Sequence, residues 1–365
     1  MTQMQSWGFN TLGEGNWIQT GGGSVVYQDQ QAWTRHGFYW IGSATLDLTT
    51  GDNAQGTFGT PTGNAITTTI VNRYKSRPNL LRWWVAAEFN ADFINLVNYA
   101  STAATIHTAD PTRLVGDVAV ALTNAPFTNG VGSTLMQNVL AEVSPGGAPG
   151  IQHLYGALKA MQAARQAGKQ FVAGISITPL QELMPPFSAA SVTGDFWPYI
   201  RRAFLLSAAM DARAFEMLWG PNQRDGTTHP NSGDSGLPPG YLNAWNWTGT
   251  AVAQIKALEP VILASGSWQP MVTNPGFFIT PPQNNIIDYR GIYAVKKTVG
   301  GITYVIAVNL NQVNNVETGL GGATIDVGFP INSATKMFEN GPVSFTGSII
   351  TDSFVPMGVH VYAVQ

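Results

Sequence analysis

The chain of 365 residues contains no cysteine, and only 11% of its residues are charged. The first absence excludes a disulfide framework and a thiolate metal site, and it leaves the redox compartment undetermined. The second, with a formal net charge of -3, removes the basic footprint that nucleic-acid binding needs. Long apolar runs are missing too, since none approaches the roughly 20 residues required to span a bilayer. The amino terminus, Met1-Thr2-Gln3-Met4-Gln5-Ser6-Trp7, has neither the cationic nor the apolar region of a secretory signal. The expectation is a soluble chain, extracellular or virion-associated, as for a protein released by lysis or carried on a virus particle.

Several catalytic signatures are also lacking. The five histidines, His36, His107, His153, His229 and His360, are scattered and form no H-E-x-x-H pair. There is no G-x-S-x-G elbow, no Walker loop and no G-x-G-x-x-G behind a strand. Residues 225–234 are rich in oxygen ligands, but their spacing is not that of an EF-hand loop. Neither a metal nor an organic cofactor is expected.

What the chain does have is aromatics, also 11% of residues, and an alternation of short apolar runs with helical patterns. That alternation is the mark of repeated βα units around a parallel sheet. Strands are expected near residues 8–12, 38–45, 82–88, 114–120, 139–143, 171–177 and 214–219, and helices over 65–75, 93–109, 151–167, 196–212 and 247–263. Seven strands suit a barrel whose first strand is missing or atypical. After residue 265 the pattern changes to short strands with polar turns, beginning with two runs on either side of Val299-Gly300-Gly301. The expected fold is therefore α/β: a TIM-type (β/α)8 barrel over residues 1–265 and a small antiparallel β-sandwich over 266–365. Such a length fits, because a barrel takes ~250 residues. An uncovered barrel edge would be unfavourable, which points to a homo-oligomer or a larger assembly.

Four phrases carry a family resemblance. Trp7-Gly8-Phe9-Asn10-Thr11-Leu12-Gly13 resembles an early-strand phrase of agarase-like enzymes, and Arg82-Trp83-Trp84-Val85-Ala86-Ala87-Glu88-Phe89-Asn90 resembles their fourth strand. Asp110-Pro111-Thr112-Arg113 looks like the following helix-to-strand connection, and residues 257–263 look like the last barrel helix. Together they resemble the large retaining clan of glycoside hydrolase barrels that includes the β-galactosidase-like and agarase-like families. The resemblance implies a carbohydrate substrate and an acid/base glutamate at Glu88. It also exposes departures: Ala87 stands where the clan has Asn or Asp, and the run from Phe171 to Thr178 carries no acid where the clan has its nucleophile.

The residues themselves rank the acids. Glu88 closes an apolar run, and an acid at the carboxyl end of a barrel strand lies on the active face. On a strand Trp84, Ala86 and Glu88 share one side, where apolar neighbours raise a carboxyl pKa enough for it to protonate a leaving oxygen. The structural alternative is an ion pair with Arg82 or Arg113. Glu142, before a Pro-Gly-Gly loop, is the best second carboxylate, with loop anchoring as its alternative role. Glu216 has parity opposite to Trp219, so it is a nucleophile candidate or a helix-facing ion-pair member. Trp17, Trp40, Trp84 and Trp219 are candidate sugar platforms, and Asn10, Asn90 and Asp47 are candidates for hydroxyl binding. The expected activity is hydrolysis of a polysaccharide or oligosaccharide. The rival reading is an inactive barrel serving as a carbohydrate-binding or structural protein on a virion or cell surface.

Overall fold

A computed structural model describes residues 6–8, 10–13, 37–47, 50–85, 96–116, 118–120, 134–137, 171–176, 197–218, 239–279, 289–313 and 316–365. The chain divides into two compact units, the first comprising Met1–Asn138, Gly156–Ser176 and Ala214–Gly236, the second Val139–Tyr155, Ile177–Arg213 and Leu237–Gln365.

The first unit holds two four-stranded parallel sheets. One contains β1 (Thr11–Gly13), β2 (Tyr39–Ser43), β5 (Leu80–Trp84) and β6 (Leu114–Gly116) in that order, and a short antiparallel ribbon of β3 (Leu46–Asp47) and β4 (Asp52–Asn53) follows β2. The other runs in the order β10-β9-β8-β7, with β7 (Val118–Val120), β8 (Thr134–Gln137), β9 (Phe171–Ser176) and β10 (Ala214–Leu218). Within each sheet the parallel strands follow chain order, as βα repetition requires. Residue 117 alone separates β6 from β7, so the run expected over 114–120 is divided between the two sheets. The strand expected over 139–143 and the helix over 151–167 lie outside the described residues, whereas β8 is a strand that the sequence pattern did not suggest.

Two helices pack on the first sheet. Helix α1 (Pro61–Tyr74) begins four residues earlier than expected because Thr60, in extended conformation, accepts the Gly63 N–H on its hydroxyl at 3.1 Å and Pro61 supplies a preset first turn. It buries Thr67, Ile70, Val71 and Tyr74, an i, i+3, i+4, i+7 stripe. Helix α2 (Leu96–Ala109) buries Tyr99, Thr102, Ala103 and Ile106. These stripes meet Phe38, Trp40, Leu80, Trp83 and Val85 in one core. Trp83 and Val85 thus face the helices, so Arg82 and Trp84, also buried, lie on the opposite side of β5.

The second unit contains α3 (Trp197–Ala209), α4 (Pro239–Leu263) and the carboxyl-terminal strands. One antiparallel sheet has the order β11-β15-β16-β23-β20, built from β11 (Gln269–Pro270), β15 (Ile292–Val299), β16 (Ile302–Asn309), β23 (Val359–Val364) and β20 (Ala334–Met337). The other has the order β12-β19-β22-β21, built from β12 (Val272–Asn274), β19 (Leu320–Asp326), β22 (Ile349–Phe354) and β21 (Ser344–Thr346), while β13 (Phe278–Ile279) with β14 (Tyr289–Arg290) and β17 (Gln312–Val313) with β18 (Val316–Glu317) form two short antiparallel ribbons. Gly300 and Gly301, with φ of 60° and 80°, make the two-residue turn between β15 and β16 that a right-twisted hairpin favours. Ile292, Ala294, Val305, Ala307, Tyr362 and Val364 of the larger sheet share a core with Ala323, Ile325, Ile350 and Phe354 of the smaller. The alternate residues Val295, Ile306, Val308, Val359 and Val361 are buried as well, on the face against which α3 and α4 pack. This explains why β16 reads as a nearly continuous apolar run: it is covered on both sides.

Candidate active site

The parallel register sets the carboxyl ends of β2, β5 and β6 level in one sheet and those of β9 and β10 level in the other, with β1 stopping short of β2 and β8 short of β9. Ser43 pairs with Trp84 and Trp84 with Gly116; in the second sheet Gln137 pairs with Gly174, and Ser176 with Leu218. Beyond β5 the pairing continues for one residue, because Ala44 N–H donates to Trp84 O at 2.9 Å and Thr45 Oγ1 donates to Val85 O at 2.5 Å. The segment carrying Glu88 therefore leaves from the carboxyl end of β5, the end where ligands collect in parallel α/β sheets. Glu88, Asn90, Glu142, Trp17 and Trp219 themselves lie outside the described residues. Glu216 occupies the middle of β10, opposite Gly174 of β9.

The remaining candidates have defined surroundings. Trp84, 3% exposed, is on the sheet face turned away from α1 and α2. Trp40, 2% exposed, is on the helix-facing side, where its indole N–H donates to Pro78 O at 3.0 Å. Asn10 precedes β1 and lies at its amino end, its carbonyl accepting the Tyr39 N–H at 2.8 Å. Asp47 follows the carboxyl end of β2 but is buried, and its Oδ2 accepts hydrogen bonds from Arg73 Nη1 and from Tyr74 Oη at 2.9 Å. Arg73 also reaches Asp52 at 2.9 Å, while Thr50 Oγ1 donates to Asp52 at 2.8 Å; the Thr50 and Arg73 hydrogen bonds hold the Asp52 carboxyl below its ordinary range. The Asp47 carboxylate is thus held inside a protein network that ties the β3–β4 ribbon to α1.

A second acid, Asp110, proves more deeply engaged than its sequence phrase suggested. Its carboxylate accepts from Trp83 Nε1 at 2.9 Å, Thr112 Oγ1 at 2.6 Å, Thr112 N at 3.2 Å and Arg113 Nη1 at 2.8 Å. Burial pushes its pKa up, but the hydrogen bonds from Thr112, Trp83 and Arg113 outweigh burial and bring it down to about 2. Arg113 in turn donates from Nε to Leu80 O at 2.9 Å. Asp110-Pro111-Thr112-Arg113 is therefore a clamp joining the end of α2 to the amino ends of β5 and β6. Its signal in the sequence was the Asp and Arg three residues apart directly behind a helix. Among the described residues there is no group of three or more His, Asp or Glu side chains placed to hold a metal, and no helix is long and apolar enough to cross a membrane.

No family model matches the sequence, and the search of curated proteins gives no match. Solved structures do match, over the whole chain and at low identity. An alpha-amylase from Geobacillus thermoleovorans, complexed with acarbose, is similar at TM-score 0.56 and 9% identity, covering 100% of this chain and 90% of that one. A glycoside hydrolase family 5 protein from Bacteroides vulgatus gives TM-score 0.55 and 13% identity, with 100% and 84% covered. The family 30 subfamily 8 xylanase from Clostridium acetobutylicum gives 0.52 and 12%, with 100% and 91% covered. These neighbours are glycoside hydrolases with TIM-barrel folds. The likeness is one of fold.

Proposed function

We propose that the chain is a glycoside hydrolase acting on a polysaccharide or oligosaccharide. The observation that carries this reading is the exit of the Glu88 segment from the carboxyl end of β5, in a chain whose fold is similar along its whole length to barrel glycosidases. The two parallel sheets would be the halves of one (β/α)8 barrel, the antiparallel pair of sheets an appended β-sandwich with the division near residues 265/266, and the clan the β-galactosidase-like and agarase-like one. Glu88 donates its proton to the departing glycosidic oxygen. As that bond breaks, a second carboxylate, Glu142 or failing it Glu216, either attacks the sugar carbon, giving a glycosyl-enzyme that water hydrolyses with Glu88 now acting as base, or takes a proton from the attacking water. Carboxyl groups about 5 Å apart would give retention, and about 6.5–9.5 Å inversion.

Among the aromatic candidates, Trp17 and Trp219 are the proposed stacking platforms, since the ring of Trp40 is enclosed by core residues. Trp84 is the proposed wall beneath Glu88, where an apolar surface favours the neutral acid. Asn90 is the proposed neutral hydrogen-bonding group for hydroxyls.

The test is a Glu88→Gln variant compared with the parent for cleavage and for binding across a glycan panel. Loss of cleavage by a factor of about 100 or more with binding retained is expected for a general acid. A parent that binds glycans but cleaves none would replace this reading with the carbohydrate-binding one, which Ala87 and the acid-free β9 already suit. A parent that neither binds nor cleaves would remove both.

A further inference from the structure

We propose that His360 is a proton-operated latch holding α3 to the carboxyl-terminal sheets, closed when its ring carries both protons. Within the second unit, β23 places His360 with each ring nitrogen facing an oxygen: Nδ1 lies 2.6 Å from Glu339 Oε2, and Nε2 lies 3.1 Å from the carbonyl oxygen of Ser353. Neither oxygen can donate when Glu339 is ionised, so only an imidazolium with two N–H groups makes both hydrogen bonds. A neutral ring has one N–H, and its other nitrogen then points a lone pair at an oxygen.

Glu339 conveys the difference to the helix. Its second oxygen, Oε1, lies 2.7 Å from Arg201 Nη2 of α3, and Arg201 is otherwise committed, donating from Nε to Gln254 Oε1 of α4 at 3.0 Å and from Nη1 to Val359 O at 2.5 Å. The carboxylate therefore spans from the sheet face carrying His360 to the helix layer. His360, Glu339 and Arg201 are largely shielded from water, with side-chain exposures of 14%, 22% and 9%. The other groups around the ring are Asp352 on β22, which is itself bound by Lys336 on β20 at 2.8 Å and by Tyr362 Oη at 2.8 Å, and the Phe354 ring 4.5 Å away. Asp352 adds a second negative charge that suits the imidazolium, and Lys336 is spent on Asp352. The sign follows from the two hydrogen bonds: the latch holds while the ring carries both protons, and it loosens as rising pH removes one of them.

The experiment is hydrogen–deuterium exchange of the full chain from pH 5.5 to 8, corrected for intrinsic exchange and read on the α3 segment 197–209. In the parent, exchange of this segment rises about threefold to tenfold toward pH 8, the size expected when one hydrogen bond is lost. In His360→Gln, which has no titrating ring, the segment is insensitive to pH. Parallel profiles for parent and variant, or a parent profile that is flat or falls, would overturn the latch. If His360→Gln does not fold, the ring nitrogens of the parent decide the matter by 15N NMR: two protonated nitrogens at pH 5.5 and one at pH 8, with amides of 197–209 shifting in step, support it. A ring that holds one proton throughout overturns it.

Discussion

Asp110 shows how a single side chain fixes the edge of the first sheet. Trp83 of β5 and the local pair Thr112 and Arg113 converge on a carboxylate whose side chain is only 3% exposed. Replacing it by alanine strands the Trp83 indole N–H in the core and removes the partner of Arg113, at a cost of about 2–4 kcal/mol. The pH dependence has a definite sign. The folded carboxyl titrates at about 2, below the roughly 3.9 of an unfolded aspartate, so its stabilising contribution is complete above pH ~4 and is lost as pH falls toward 2. Urea unfolding of parent and Asp110→Asn at pH 5 and at pH 2.5, followed by tryptophan fluorescence, should show a large difference in midpoint at the higher pH and a small one at the lower. Equal differences at both would mean that the carboxylate is not what the clamp uses. The same side chain also bears on Glu88: Arg113, one of the arginines considered as its ion-pair partner, is engaged at the amino end of the strands by Asp110 and Leu80 O.

At the level of elements, α1 offers the sharpest contrast between propensity and packing. Thr60→Ala removes the cap on the Gly63 N–H and should cost about 1 kcal/mol. Gly63→Ala would ordinarily stabilise a helix by about 1 kcal/mol. Here, however, a Cβ on Gly63 would stand 2.0 Å from Thr57 O, so the backbone must move and the sign reverses; thermal unfolding should place Gly63→Ala below the parent, and a rise in midpoint would refute the close approach. That glycine is also why the helix start was hard to read, since Pro61-Thr62-Gly63-Asn64 has the composition of a turn. Where local signals agree, the elements were legible: β16 spans residues 302–309 as the pattern around Gly300-Gly301 requires. Strand β8 was not, because Thr134–Gln137 is short and lacks alternation. In the candidate site, the apolar run located β5 but not its end: the strand was expected over 82–88, and β5 stops at Trp84, four residues before Glu88. The faces of Trp40, Trp83 and Trp84 were a different matter, because adjacent tryptophans look alike in sequence and only the position of the helices distinguishes them.

For the molecule as a whole, the question is what the carboxyl-terminal sheets need in order to fold. Their change of sequence pattern near residue 265 suggests a module that stands alone, yet the larger sheet has two apolar faces and the smaller sheet covers only one. Val295, Ile306, Val308, Val359 and Val361 are buried on the other, at roughly 1.5–3 kcal/mol each, on the order of 10 kcal/mol together. That is comparable with the 5–15 kcal/mol that usually separates a whole folded domain from its unfolded chain. Polar contacts reinforce the arrangement: Lys297, on the same face, donates to Ile262 O at 3.3 Å and Ala264 O at 2.7 Å at the end of α4, where Arg213 also donates to Ile262 O at 2.5 Å. Burial and the neighbouring Arg213 charge lower the Lys297 pKa, and these carbonyls, with the negative end of the helix dipole, favour its ammonium form. Residues 266–365 expressed alone would expose five aliphatic side chains and a lysine that has lost its acceptors. The fragment should therefore aggregate or bind a hydrophobic dye strongly, and show no cooperative unfolding, while the full chain does neither. A soluble 266–365 fragment with slow amide exchange in β16 and β23 would show instead that the sheets are self-sufficient and that α3 and α4 merely rest on them.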